Sequence, residues 1–375
     1  MPAVAVAALF ASFAVGFELR SHSLARPGPA RPPAPLRTQV LADLESYYYR
    51  TLPRAAYHAH TVAAMVRALG DPYTRYLPPN AYSQLRAAES GTYTGFGLGL
   101  LRGRRGLRVT ASIRGLPGRR AGIRPGDVIT TIDGTSLASL SYRHALDLIG
   151  GRAGSAIHLK VVRPGHAPME LTLVRRPIIL PYVSSRVIRF RRMDVCVIRL
   201  LSFPATAAAQ VRKIAERASR RHEPVILDLR GNPGGLLSQA VAVVRVFARS
   251  GVVVTTRGLH EPARQFVADG TAVGRLRLAV LINGGTASAA EVVTGALRAD
   301  AGAIVVGRPS FGKGTVQAVE PLAAGGALKL TVARFTLPGG LVVEGRGIHP
   351  DLLIEARAGA SDRVLRAALF ALRRR

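Results

Sequence analysis

The sequence predicts a multi-domain chain of the α/β type, α+β taken as a whole, and three observations carry that prediction. From residue 176 onward short apolar runs with strand character alternate with runs at helical spacing. Between 91 and 175 the pattern changes to brief β-like runs punctuated by glycine. Ahead of both, residues 37–90 carry apolar side chains three and four apart. A chain of 375 residues is also too long for one ordinary domain and should hold two or three.

In chain order, residues 1–36 come first as a signal or anchor and its tether. Residues 2–17 of "MPAVAVAALFASFAVGFELR" are uncharged and apolar, short for a membrane span and long for a signal core. No basic residue precedes them and arginines follow, so either a basic leader lies upstream of this start or the segment is a weak anchor. The Pro-rich "ARPGPARPPAPL" (25–36) reads as an extended, semi-rigid tether. Together they lead us to expect an extracytoplasmic protein of the periplasm or cell envelope, membrane-anchored or secreted. Residues 37–90 read as helices, from Val40, Leu41, Leu44 and Tyr47 and again from Val62, Met65, Val66 and Leu69, with "GDPYTRYLPP" as a break. Within 91–175 the strands are "GFGLGLL", "LRVTASI", "GDVITTIDG" and "AIHLKVVRPG", with one helix, "SYRHALDLIG". In 176–358 we expect strands at "VCVIRL", "PVILDLRG", "GVVVTTRG", "LAVLING", "AIVVG" and "LKLTVARFTLPGG". Helices should cover 205–221, 236–249 and 287–299, and the pairing should be largely parallel. Residues 359–375, "SDRVLRAALFALRRR", close the chain as an amphipathic helix.

Composition narrows the function. The net charge of +30 invites a nucleic-acid reading, but the basic residues are spread evenly and no dense run is interleaved with aromatics. Only four of the 52 basic residues are lysine (Lys160, Lys213, Lys313 and Lys329), a skew that points to a general preference for arginine and a solvated basic surface. We therefore expect no nucleic-acid partner. The single cysteine, Cys196 in "DVCVIRL", reads as a core residue. His58 and His60 sit two apart on a helix and face apart, so they make a poor metal site.

One hydroxyl stands out. "INGGTASAAEVV" (282–293) ends a strand in Gly-Gly and starts a helix just after Ser288. That places Ser288 where free N–H groups and the helix dipole favour developing negative charge; an ordinary N-cap serine would look the same. No G-x-S-x-G elbow supplies a histidine triad. Lys313 in "GRPSFGKGTVQ" is the candidate base, since arginine never gives up its proton and a lysine in an arginine-biased chain is informative. Burial beside apolar residues such as Phe311 would lower its proton affinity. Gln317, four residues on in an extended segment, shares a face with Lys313 and would orient the amine.

Three decoys fail. "GRPSFGKG" nearly spells a phosphate-binding loop, but Gly314 replaces the Mg²⁺-binding hydroxyl and no helix follows. "PVILDLRG" precedes that loop, the wrong order for a metal-binding strand. "GFGLGL" has Leu100 where a dinucleotide motif needs its third glycine.

Taken together, "VILDLRGNPGGLL", "VLINGGTASAAEVVTGAL", "VVGRPSFGKGTVQ" and "LKLTVARFTLPGG…GRGIHPD" resemble the successive signatures of the carboxyl-terminal processing proteases, the tail-specific serine peptidases of family S41. The likeness runs over roughly residues 37–355. "YTGFGLGLL…GLPGRRAGIRPGDVITTIDGTSL" resembles their PDZ domain, and "LGDPYTRYLPP" their N-terminal helical region. The resemblance implies a crotonase/ClpP-like α/β protease core with an inserted PDZ domain and an N-terminal helical region. It implies a Ser288–Lys313 pair supported by Gln317, and an oxyanion hole at the N–H groups of Gly234 and Ala289. It also implies a PDZ loop, "GFGLG" (95–99), that takes a peptide's terminal carboxylate around Phe96, Gly97 and Leu98. No metal or cofactor is called for. The implied partners are protein and peptide substrates with free, apolar C-termini and, through the N-terminal segment, a membrane; self-association is left open. One departure is visible: the family's Asp eleven residues after the nucleophile is Ala299 here, and the acid is Asp300. Arg230 and Glu291 match motif positions that capping or structural pairing explains equally well. The rival reading is a catalytically silent protein that binds peptides through its PDZ domain.

Overall fold

The structure is a computed structural model that describes residues 34–179, 182–323, 325–355 and 362–374. The anchor and tether expected at 1–36 fall almost wholly outside these residues. Among the described residues, no helix is long and apolar enough to cross a membrane. The chain forms two compact units, one of residues 80–179 and one of residues 34–79 with 182–374.

The larger unit is built on a six-stranded sheet in the order Val183–Phe190, Met193–Leu200, Val225–Asp228, Leu278–Ile282, Ile304–Gly307, Leu352–Leu353. Every pair after the first is parallel. The first is an antiparallel hairpin whose two strands are joined by Arg191 and Arg192, too short a connection for a parallel crossover. Alternation along the buried strands sends side chains to opposite faces. Val225, Leu227, Leu278, Val280 and Ile282 face the main core, packed by the helices Ala207–Arg220, Leu237–Phe247 and Ala289–Asp300. Val195, Val197, Ile226, Ala279, Leu281 and Val306 face the other way and are covered by Val364, Leu365, Ala368, Leu369 and Leu372 of the helix Arg363–Arg374. Arg230 ties the lead-in of that helix to the sheet, pairing with Asp228 at 2.7 Å and Asp362 at 2.8 Å. Cys196 is buried, and burial pushes its thiol up to about 11.

A second sheet is antiparallel throughout, which the alternation of the sequence does not announce. Its order is Arg75–Leu77, Ala327–Thr336, Val252–Arg257, Arg264–Val267, with Thr315–Pro321 also pairing Ala327–Thr336. Its hairpins are joined by loops too short for a crossover helix, so antiparallel pairing is forced. The break expected at "GDPYTRYLPP" thus contains a strand, and the helices Leu36–Tyr47, Arg54–Tyr57 and Val62–Ala68 group with this unit.

The smaller unit begins with the helix Pro79–Ser90. Its sheet runs Leu98–Gly103, Gly106–Ser112, Val128–Ile132, Ala156–Val162, Met169–Val174, with Thr135–Ser136 beside Val128–Ile132. Two short helices, Pro117–Arg120 and Tyr142–Ile149, pack on it around Leu107, Val109, Ile123, Ile129, Ile157 and Val161. A separate ribbon pairs Thr92–Gly95 with Arg176–Ile179, bringing the two ends of the sheet-bearing segment side by side.

Candidate active site

The strand Leu278–Ile282 is buried along its whole length, and the turn that follows is tied down at every step. The Asn283 side chain accepts from the N–H groups of Gly231 and Gly285, the Thr286 hydroxyl donates to the Leu229 carbonyl, and the Ala287 N–H donates to the Asn232 carbonyl. So anchored, the chain delivers Ser288 at the N-cap of the helix Ala289–Asp300 with φ 55° and ψ −119°. That conformation costs an L-residue on the order of 1–3 kcal/mol and persists only where the surroundings enforce it.

Glu291 does the enforcing. It is fully buried, and its carboxylate accepts four hydrogen bonds: from the Ser288 N–H (2.7 Å), the Ser310 hydroxyl (2.6 Å), the Gly312 N–H (2.8 Å) and the Lys313 N–H (2.9 Å). One side chain therefore fixes the backbone of both Ser288 and Lys313. Burial pushes the Glu291 carboxyl above its ordinary range, and the four donors pull it back.

Lys313 is 3% exposed, and its Nζ lies 4.7 Å from the centre of the Tyr73 ring with no hydrogen-bond partner among the described residues. Desolvation, reinforced by the charge of Arg75, brings its pKa down to about 8 against the opposing pull of Asp71, Glu344 and Glu291. The apolar cover is not the expected one. Phe311 is 57% exposed, and Tyr73 of "GDPYT" takes its place. Asp71 holds that segment by accepting from the Tyr73 N–H and the Thr74 hydroxyl, and the Thr74 hydroxyl accepts from the Thr331 N–H. The motif was visible in the sequence, but nothing local tied it to a lysine 240 residues away.

Gln317 lines one pocket with Ser288, Ala289, Gly235, Leu237, Val292, Thr315, Val316 and Phe335. Its amide nitrogen donates to the Thr315 hydroxyl (2.9 Å) and the Thr331 hydroxyl (3.5 Å), not to the lysine as expected. Lys313 precedes the strand Thr315–Pro321, so the extended alternation that the expectation assumed does not include it. Ser288 and Gln317 thus share a pocket, while Lys313 is tied to Ser288 through the Glu291 carboxylate and its amine makes no hydrogen bond among the described residues.

Gly234 abuts Ser288: a Cβ there would lie 3.0 Å from Ser288 Cβ and 3.1 Å from Ala289 N. Its N–H donates to Asn232 Oδ1 at 2.8 Å, so this expected oxyanion donor is engaged internally. The Ala289 N–H, first of its helix, has no acceptor among the described residues. Asp300 ends the same helix, roughly 18 Å from Ser288 at ~1.5 Å per residue, so its carboxyl, pushed up by burial, has no reach to the site. In the smaller unit, Phe96 and Leu98 are buried in the core and Leu116 lies against Gly97. That loop therefore offers a ligand its backbone, not its side chains.

A strained serine held at a helix N-terminus of an α/β core, with a buried lysine whose backbone is tied to the same carboxylate, fits a serine-type hydrolase. Comparison makes this specific. Residues 194–354 match peptidase family S41, and residues 108–163 match the PDZ domain family. The carboxy-terminal-processing protease of Bartonella bacilliformis is 34% identical over 293 residues, covering 76% of this chain and 67% of that protein. The carboxyl-terminal-processing protease of Synechocystis sp. is 32% identical over 316 residues, covering 83% and 74%. Among solved structures, a photosystem II D1 C-terminal processing protease superposes with a TM-score of 0.56 at 26% identity, covering 90% of this chain and 96% of that one. The chain belongs to peptidase family S41, the carboxyl-terminal processing proteases, and carries their PDZ domain.

The Glu291 clamp makes a prediction. Glu291→Gln leaves one acceptor oxygen and turns an NH₂ group toward donors, and each buried donor left unpaired costs about 1–3 kcal/mol. Thermal unfolding should show a clear loss of stability, and peptide cleavage should fall by about a hundredfold or more, as for loss of one positioning element. A variant with wild-type melting and turnover would remove the clamp from the account.

Proposed function

We propose that the protein is an endopeptidase that cuts polypeptides near their C-termini, with Ser288 as nucleophile, Lys313 as general base and Gln317 in support. The observation that carries this reading is the Lys313 amine: buried, without a hydrogen-bond partner, and shifted toward the neutral form. A cation held that way would be a liability in a merely structural role; a base needs it.

The steps use only this chain's groups and water. Neutral Lys313 takes the Ser288 proton as Oγ attacks the scissile carbonyl. The oxyanion is held by the N–H groups of Ala289 and Gly234, and the second must first exchange its bond to Asn232 Oδ1 for one to the substrate. Lys313 then hands its proton to the departing amine, which leaves an acyl ester on Ser288. Water gives a proton to the same lysine, attacks the ester, and releases the acid as Ser288 recovers its hydrogen. The Gln317 carboxamide supplies an acceptor for Lys313 while it is charged. The small residues around Ser288 leave room for an extended peptide, and the PDZ loop at Phe96, Gly97 and Leu98 takes the free carboxylate of the substrate tail on its backbone N–H groups.

Three measurements test this. Ser288→Ala should abolish cleavage with little change in melting, because one oxygen is lost from a site already fitted to small residues; residual turnover within tenfold of wild type would sink the nucleophile. For the base, the sign follows from the amine being active only when deprotonated. The kcat/KM should rise tenfold per pH unit below about 8 and level off above it, and Lys313→Arg, which cannot lose its proton, should be as inactive as Lys313→Ala. A flat profile, or an active Arg variant, would make the lysine an electrostatic prop. For tail capture, amidating a peptide's C-terminus should weaken binding by about tenfold or more, while acetylating its N-terminus does little.

A further inference from the structure

The smaller unit's sheet ends in an edge strand, Leu98–Gly103, that pairs with Gly106–Ser112 and with no other strand among the described residues. Leu100 stands opposite Val109, but the Val109 N–H and carbonyl are both spent on the other side, on the Asp127 carbonyl and the Gly126 N–H (each 2.8 Å). Leu100 and Val109 are thus a non-hydrogen-bonded pair, and the Leu100 N–H and carbonyl point out across the open edge. Leu98, two residues earlier, presents its backbone the same way. A polypeptide adding to this edge would lie about 4.8 Å from the strand and donate an N–H to the Leu100 carbonyl.

That carbonyl is occupied. The Tyr142 hydroxyl donates to it at 2.9 Å. Tyr142 is the first residue of the helix Tyr142–Ile149, and the helix is pinned at both ends. The Ser141 hydroxyl caps its start by accepting from the His144 N–H, and the Arg175 guanidinium donates to the Leu148 and Ile149 carbonyls at its finish. The Arg102 guanidinium, reaching out from the edge strand, ties the lead-in by donating to the Leu137 and Ala138 carbonyls. With the helix fixed, the phenol spans the gap from helix to strand and stands where an added strand's N–H would arrive.

We propose that Tyr142 is a displaceable bolt across the tail-binding groove, one that a substrate must withdraw by outbidding its hydroxyl for the Leu100 carbonyl. This rests on the tail-capture reading above and deepens it. If the terminal carboxylate lies at the 95–99 loop and the tail runs antiparallel to the edge strand, the residue opposite Leu98 is the last and the one opposite Leu100 is third from the end. Only a third-from-last residue with an N–H can draw the bolt, so proline there is rejected.

The test uses the full chain carrying Ser288→Ala, so that the probe survives. The probe is a fluorescein-labelled octapeptide ending Val-Ala-Leu with a free carboxylate, beside its C-terminal amide and a version with proline third from the end. Tyr142→Phe keeps the ring and removes the competing bond, so it should bind the free-acid probe about three- to tenfold more tightly, the worth of one net hydrogen bond. The gain should vanish for the proline peptide. A role confined to stabilising the fold would predict weaker binding, not tighter. Unchanged or weaker binding by Tyr142→Phe overturns the bolt while leaving tail capture standing, provided free acid still beats amide. Tighter binding of acid and amide alike supports the bolt and removes carboxylate recognition. If no peptide binds wild type, Tyr142→Phe or Tyr142→Ala, both ideas fall.

Discussion

The Glu291 carboxylate is the interaction on which the rest of the site depends. It receives hydrogen bonds from both the turn that bears Ser288 and the loop that bears Lys313. Neither segment has a reason of its own to adopt its shape: Ser288 sits in a backbone region L-residues avoid, and the 310–313 loop has no regular structure. A buried carboxylate with four donors is costly to disturb in any direction, because each donor released would be left without water. The stiffness of the Ser288 turn is thus set by one buried acid.

Around this fixed centre the remaining groups are held in a resting arrangement. The Lys313 amine lies over Tyr73 without a hydrogen bond, the Gly234 N–H is spent on Asn232, and the Gln317 amide is spent on two threonines. The amine makes no bond among the described residues, the Gly234 N–H one and the Gln317 amide two, against the four that the Glu291 carboxylate accepts. The carboxylate that fixes the backbone is thus tied more often than the groups around it.

Much of this was legible in the sequence, for reasons that show where the rest was not. The turn at Ser288 was readable because a strand, a Gly-Gly turn and helix formers are local signals, and Lys313 stood out as a lysine in an arginine-rich chain. The parallel sheet followed from alternation of strands and helices, and the helix Arg363–Arg374 from its amphipathic run. The hidden parts all depend on partners far apart in the chain. Tyr73 over Lys313 and the strand Arg75–Leu77 beside Ala327–Thr336 are fixed by tertiary packing that no window of sequence contains. Phe311 misled because an aromatic two residues from a lysine looks like its cover, whereas Phe311 is exposed and the distant Tyr73 lies over the amine.

The helix Arg363–Arg374 has a consequence for the order in which the molecule is made. Together with Ile188, Phe190 and Ile354, it covers Val195, Val197, Ile226, Ala279, Leu281 and Val306, the second face of the central sheet. All four strands bearing those residues leave the ribosome before it does. During synthesis the sheet therefore exists for a time with one apolar face bare, and Arg230 has only Asp228 to hold until Asp362 arrives. Such a face is sticky and its sheet poorly held, so a nascent chain is exposed to aggregation and chaperone capture during that interval.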